Sequence, residues 1–191
     1  MFRPSRRCWY VRMVRVKHDW RERLVETYPD LFRSADPPRV QGWPAVGDGW
    51  RDLLERACDR IRATVRADGG WFQSTQFKEK FGELRFYWTG TLSPEAAARV
   101  EDAIKLAEAR SARTCEVCGA AGRLYGPIWL LTRCDTHNEG RRPEPIRSQM
   151  ENIHFENRLI GGKREFRCRR YVRETDSFVD VDPKTLPIEE D

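Results

Sequence analysis

The chain has 191 residues, of which 34% are charged and 39% hydrophobic, with a mean hydropathy of −0.75 and a formal net charge of +5. Seven tryptophans, nine phenylalanines and five tyrosines exclude a disordered polyelectrolyte, and the length excludes two large cores. No stretch approaches the roughly 20 apolar residues that cross a bilayer, and arginines interrupt the N-terminal apolar residues, so the expectation is a cytoplasmic protein with neither signal peptide nor membrane contact.

Residues 1–18 read as a basic N-terminal segment, with Arg3, Arg6, Arg7, Arg12, Arg15 and Lys17 and no acidic side chain. Trp20, Leu24 and Tyr28 recur every four residues before Pro29, which predicts a short helix over 19–28. Residues 34–49 carry three prolines and three glycines and read as a loop; Trp43 within it is the tryptophan best placed to meet a partner. Trp50, Leu53, Leu54, Ala57, Ile61 and Val65 mark one face of a second helix, with Asp48 as its expected cap and Asp68-Gly69-Gly70 as its stop. The aromatic-rich stretch 71–88 predicts one or two strands turned near Gly82. Ser93-Pro94-Glu95 starts a third helix, whose buried stripe is Ala97, Val100, Ile104 and Ala107.

That helix leads into two ligand pairs, Cys115-Glu116-Val117-Cys118 and Cys134-Asp135-Thr136-His137, separated by fifteen residues. Two-residue spacing lets a tight turn aim both side chains at one ion, and a hairpin-sized spacer brings the second pair round to complete a tetrahedron. Cys115, Cys118, Cys134 and His137 are therefore the expected zinc ligands. Four protein ligands close the coordination sphere, so the expected role is structural. The apolar run 124–131, broken at Gly126-Pro127, supplies the hairpin. The unit is a zinc ribbon, or a treble clef if a helix starts near Cys134. The remaining thiols, Cys8, Cys58 and Cys168, are odd in number and fit free cysteines better than bridges.

Residues 138–149 read as a polar linker. Ile160-Gly161-Gly162-Lys163 is then a two-residue hairpin signature. Its register sets Glu156 opposite Arg167, Arg158 opposite Glu165 and Phe155 opposite Cys168, giving opposite-charge pairs on one face and apolar residues on the other. Residues 176–181 are a candidate third strand. The fold class expected is α+β: an α+β core over 19–140 that contains a zinc unit at 115–137, a basic β-hairpin extension over 141–182 and an acidic tail over 183–191.

The run Phe77-Lys78-Glu79-Lys80-Phe81-Gly82-Glu83-Leu84-Arg85-Phe86-Tyr87, a helix containing Ala107-Glu108, and then Thr114-Cys115-Glu116-Val117-Cys118-Gly119 with Arg133-Cys134-Asp135-Thr136-His137, resemble a group of small zinc-binding proteins of bacteria and their phages. The resemblance covers about residues 50–137. It implies a recurring zinc-bearing unit and carries no activity with it.

Function is read from the charge pattern. Residues 141–173 hold ten basic side chains against four acidic, and 174–191 one against seven. Lys163, Arg164, Arg167, Arg169, Arg170 and Tyr171 are the candidate nucleic-acid-binding residues, because with Phe166 they combine phosphate contact and base stacking on one strand. Alternation places Arg167, Arg169 and Tyr171 on one face and Arg164 and Arg170 on the other; the plain alternative is a solvated basic face. The expectation is a non-catalytic, zinc-stabilised binding protein with nucleic acid as its partner. The second reading is a protein-interaction module of a phage or mobile element that modulates a host complex. The third is a metal-dependent nuclease built from Glu79, Lys80, Glu83 and Arg85 with His154 and Asn157, His154 being expected at the hairpin surface. Neither a nucleophile with its base nor a phosphate-binding glycine loop is present, so no enzymatic activity is expected.

Overall fold

The Asp19 carboxylate accepts the Arg21 amide at 3.1 Å and so starts α1 (Trp20–Thr27), whose Trp20 and Leu24 face the interior. In the computed structural model of the protein, residues 19–32, 42–146, 148–160 and 163–187 are described. The basic segment with Cys8, residues 33–41 with the first part of the proline-rich stretch, Gly161-Gly162 and the last acidic residues lie outside them.

β1 (Pro44–Ala45) pairs in parallel with β2 (Trp71–Lys80), and a 3-10 turn (Asp48–Trp50) runs directly into α2 (Arg51–Asp68). Asp48 does not cap α2. The 3-10 turn carries the chain past it, and its carboxylate accepts the Trp20 indole N–H at 2.8 Å and pairs with Arg21 at 2.9 Å, tying α1 to the start of α2. These hydrogen bonds hold the Asp48 carboxyl below the usual carboxylate range. α2 buries Leu53, Leu54, Ala57, Cys58, Ile61 and Val65 and ends where Gly69 takes φ 75°.

β2 (Trp71–Lys80) and β3 (Glu83–Thr91) form a hairpin joined by Phe81 and Gly82, at φ 57° and 80°, the left-handed pair that a two-residue turn requires. A register shift between Ser74 and Gln76 brings Phe77 back to the inner face beside Phe72 and Phe86. Phe77 and Phe86 rings lie 4.1 Å apart. Trp50 is fully buried and donates its indole N–H to the Thr114 carbonyl at 2.9 Å, while Trp88 is half-buried and stacks on Phe72.

α3 (Pro94–Ser111) begins with the Ser93 hydroxyl accepting the Ala96 amide at 3.2 Å. Its buried stripe starts at Ala96 rather than at Ala97. The helix lies along the open edge of β3. Ser111 Oγ accepts the Leu84 amide at 2.8 Å, Glu108 Oε1 the Phe86 amide at 3.2 Å and Glu101 Oε1 the Trp88 indole at 2.7 Å, which closes an edge left unpaired by the sheet.

β4 (Arg123–Gly126) and β5 (Leu131–Arg133) pair between the two ligand pairs, and β6 (Arg142–Pro143) adds to β4. The stretch read as a linker thus contributes a strand. The last sheet comprises β7 (Ile153–Ile160), β8 (Lys163–Val172) and β9 (Ser177–Asp180). Phe155 pairs with Cys168, Glu156 with Arg167 and Arg158 with Glu165, continuing to Ile160 opposite Lys163. This is the register read from the sequence, and β9 is the anticipated third strand. Three helices and three small sheets among the described residues make the protein α+β. Among the described residues no helix is long and apolar enough to cross a membrane.

The last sheet joins the core through ions. Asp176 accepts from Arg60 at 2.7 Å and from Tyr171 at 2.9 Å, with Arg110 at 3.5 Å. Arg169 pairs with Asp102 of α3 at 3.1 Å and with Glu156, which also holds Lys105 of α3 at 3.0 Å.

Candidate metal centre

Cys115 follows the end of α3, and its amide donates to Ala120 at 2.8 Å while the Gly119 amide returns to the Cys115 carbonyl at 2.8 Å. Gly119 stands at φ 79°, which closes the turn and turns Cys118 toward Cys115. β4 and β5 then bring Cys134 back alongside, and the His137 amide donates to the Cys134 carbonyl at 3.0 Å in a second tight turn. Residues 134–140 form successive turns and no helix.

The four ligand atoms lie within 4.8 Å of one another. Cys118 and Cys134 sulfurs are 3.7 Å apart, and His137 Nδ1 stands 3.7 Å from Cys115 Sγ and 3.2 Å from Cys134 Sγ. A tetrahedral ion bound at about 2.3 Å by sulfur and about 2.0–2.1 Å by nitrogen has S–S edges of about 3.8 Å and S–N edges of about 3.5 Å. The side chains can therefore hold a metal ion with His137 Nδ1 as the nitrogen ligand. Cys115 is buried, Cys134 and His137 are half-buried, and Cys118 lies at the rim. Burial pushes the Cys134 thiol up, but hydrogen bonds with His137 and Cys118 outweigh it and bring the thiol down to about 6.

The residues between the ligands anchor each turn. Glu116 accepts the Gly49 amide on its carbonyl at 2.8 Å and the Gly47 amide on its carboxylate at 3.0 Å, and pairs with Arg133 at 3.0 Å. Asp135 accepts the hydroxyl of the fully buried Tyr125 at 2.6 Å and pairs with Arg123 at 3.2 Å. The four residues expected from the spacing are brought together, whereas nothing in the spacing points to this support. Gly47 and Gly49 lie far upstream, and no local spacing connects them to Glu116.

The candidate nucleic-acid-binding residues separate. Arg169 and Tyr171 are buried against α3, engaged by Glu156 and Asp102 in one case and by Asp176 in the other, so they contribute to the interior and not to a binding surface. The reason is the docking of their face onto α3, which brings Asp102 to Arg169 and closes Glu156 of β7 and Asp176 of the β8–β9 turn inside the contact. Glu156 accordingly binds Arg169 and Lys105 and not its cross-strand neighbour Arg167, which pairs with Glu165 at 3.3 Å. Arg164 and Arg170 are exposed on the opposite face. The Lys163 side chain lies outside the described residues. On that same outer face Phe155 and Phe166, 46% and 54% exposed, stack with ring centroids 5.8 Å apart. Phe155 had been assigned only to the apolar side of the hairpin.

The residues considered for a nuclease also divide. Glu83, Arg85, His154 and Asn157 line one cleft of about 470 Å³ with Lys105 and Glu108, between β3, α3 and β7, whereas Glu79 and Lys80 line another. His154 is half-buried and not at the surface, its ring edge-on to Phe178 at 5.3 Å; burial lowers its pKa and raises that of Glu108. Among the described residues, the Cys115, Cys118, Cys134 and His137 cluster is the one group of three or more such donors placed to share an ion. Comparisons with protein-family models, curated proteins and solved structures return no match for this chain.

Proposed function

We propose that the protein is a non-catalytic binding protein in which zinc stabilises the 115–137 unit and the C-terminal sheet contacts nucleic acid. Three sulfurs and one imidazole nitrogen are a donor set suited to zinc, and a closed coordination sphere gives the ion a structural role. The ion would stiffen a unit too small to fold unaided.

The observation that carries the nucleic-acid reading is the pair Phe155 and Phe166, exposed and mutually stacked on a sheet face that also presents Arg164 and Arg170. Two apolar rings left in solvent on a strand pair are costly unless covered. Bases cover such rings by stacking, and flanking guanidinium groups meet the phosphates. Fluorescence anisotropy with labelled single- and double-stranded DNA and RNA across a salt series tests the reading. Affinity that falls steeply with salt and drops about tenfold or more in Phe155→Ala/Phe166→Ala supports it. Absence of binding to every nucleic acid at low salt overturns it. A protein partner is the second reading, favoured by Ile128, an aliphatic side chain 95% exposed, since large apolar side chains left in solvent mark contact surfaces.

A further inference from the structure

We infer that the ligand surface continues from the C-terminal sheet onto the outer face of the β2–β3 hairpin and ends at the 127–130 loop, so that the ligand is an extended single strand of nucleic acid. The inference rests on the nucleic-acid reading and specifies the form of the ligand.

On the outer face of the hairpin Tyr87 is 44% exposed and Lys80 is exposed. Lys78 and Tyr87 share that face, with the ammonium 5.0 Å from the ring centroid, and Arg85 stands opposite Lys78 in register. Two residues on, Lys80 sits 5.1 Å from the ring of Phe81 at the turn. Phe81 projects because the turn holds it in the left-handed region, and the Glu79 carboxylate accepts the Gly82 amide there at 2.5 Å. The carboxylate of Glu79 is turned back to the turn amide, although it keeps its charge, and Glu83 is paired with Arg85 at 2.8 Å, so the strip presents Lys78 and Lys80.

Beyond the turn, Phe81 and Trp129, each 63% exposed, line one cavity of about 510 Å³ between the two loops. The Trp129 carbonyl accepts from Arg141 at 3.1 Å, which places a guanidinium beside the indole-bearing loop. At the other end, Arg85 and Phe155 line the same cleft, where Glu83 is paired with Arg85 and Glu156 with Lys105 and Glu108 also lies, so the hairpin face and the C-terminal sheet adjoin there. Alternating rings and cations along one path match a backbone that carries a phosphate and a base at each step. The rings can stack only on bases not already stacked in a duplex, which favours a single strand.

The test is anisotropy of the full chain with fluorescein-labelled oligo-dT and oligo-U of about 6 and about 20 nucleotides at low salt. The longer strands are expected to bind about tenfold or more tightly than the short ones, and Phe81→Ala/Trp129→Ala, both exposed positions, should remove that gain while leaving short-strand affinity unchanged. Phe155→Ala/Phe166→Ala should weaken both lengths. Equal affinity for both lengths, preference for duplex, or long-strand affinity unaltered by Phe81→Ala/Trp129→Ala overturns the continuation but spares the C-terminal sheet. No binding by the wild type overturns both. Phe81→Ala/Trp129→Ala that changes only self-association in sedimentation assigns the loops to protein contact and also overturns the inference.

Discussion

Gly49 lies so close to Cys115 that a Cβ on it would stand 2.1 Å from the Cys115 carbonyl oxygen and 2.4 Å from the Gly119 amide. Because the clashing atoms are backbone, no rotamer change relieves them, and the first metal-ligand turn would have to leave the start of α2. Gly49→Ala is expected to cost about 2–4 kcal/mol and to speed metal release. Gly140→Ala is the contrast. Its φ of 73° is strained for alanine but nothing lies within 4 Å, so about 1–2 kcal/mol is expected. Thermal melts and a chromophoric chelator measure both, and equal effects at the two sites would contradict the docking argument.

Chelation of a metal ion held by the four side chains, or Cys118→Ala, is expected to open residues 115–137 while leaving the helical signal of α2 and α3, whose apolar core excludes those side chains. Several kcal/mol of local stability should be lost. Limited proteolysis with far-UV circular dichroism follows this. Cleavage that spares 115–137 after elemental analysis shows the ion gone would remove the structural role.

Asp176 ties the last sheet to α2 and α3. Burial raises its pKa, but hydrogen bonds from Arg60 and Tyr171 and the charges of Arg60 and Arg110 outweigh it and hold the carboxyl below the usual range. A depressed folded-state value means the contribution is complete above the ordinary carboxylate pKa of about 4 and is lost as pH falls through the lower folded value. Asp176→Ala should therefore cost about 2–4 kcal/mol at neutral pH, and the gap to wild type should shrink under acid conditions. Urea midpoints between neutral and acid pH give the comparison; a gap that widens on acidification is the contrary result.

Arg169 and Arg170 are neighbours in sequence with opposite roles. Removing Arg169 leaves the buried Glu156 with Lys105 as a remaining cation, at an expected cost of about 2–4 kcal/mol in stability. Arg170→Ala should change stability by less than about 0.5 kcal/mol and weaken nucleic-acid affinity instead. Chemical denaturation alongside anisotropy separates them, and Arg170→Ala that unfolds the sheet would reverse the assignment of faces.

Ser111→Ala deletes the acceptor for the buried Leu84 amide, with an expected loss of about 1–3 kcal/mol. Hydrogen exchange should show Leu84 deprotected ahead of its β2-bonded neighbours. Unchanged protection would mean that α3 does not close the edge.

Local spacing was enough to reveal much of this protein. Cys115, Cys118, Cys134 and His137 are legible because metal ligation needs only tight turns and one hairpin, and the β7–β8 register is legible because alternating charge and apolarity constrain it within a few residues. The three helices follow for the same reason, from periodicity, Ser93 and Gly69. Tertiary structure alone decided which arginines are available. Alternation correctly split Arg169 and Tyr171 from Arg164 and Arg170, but which face would be buried depended on Asp102 and Lys105 of α3 and on Asp176 meeting Arg60. It likewise decided that Asp48 serves α1, that Gly49 receives the Cys115 turn, and that Arg85 and Phe155 border one cleft. Such choices depend on how elements remote in sequence dock, and burial is a property of that docking, so residue order along one strand carries no record of it.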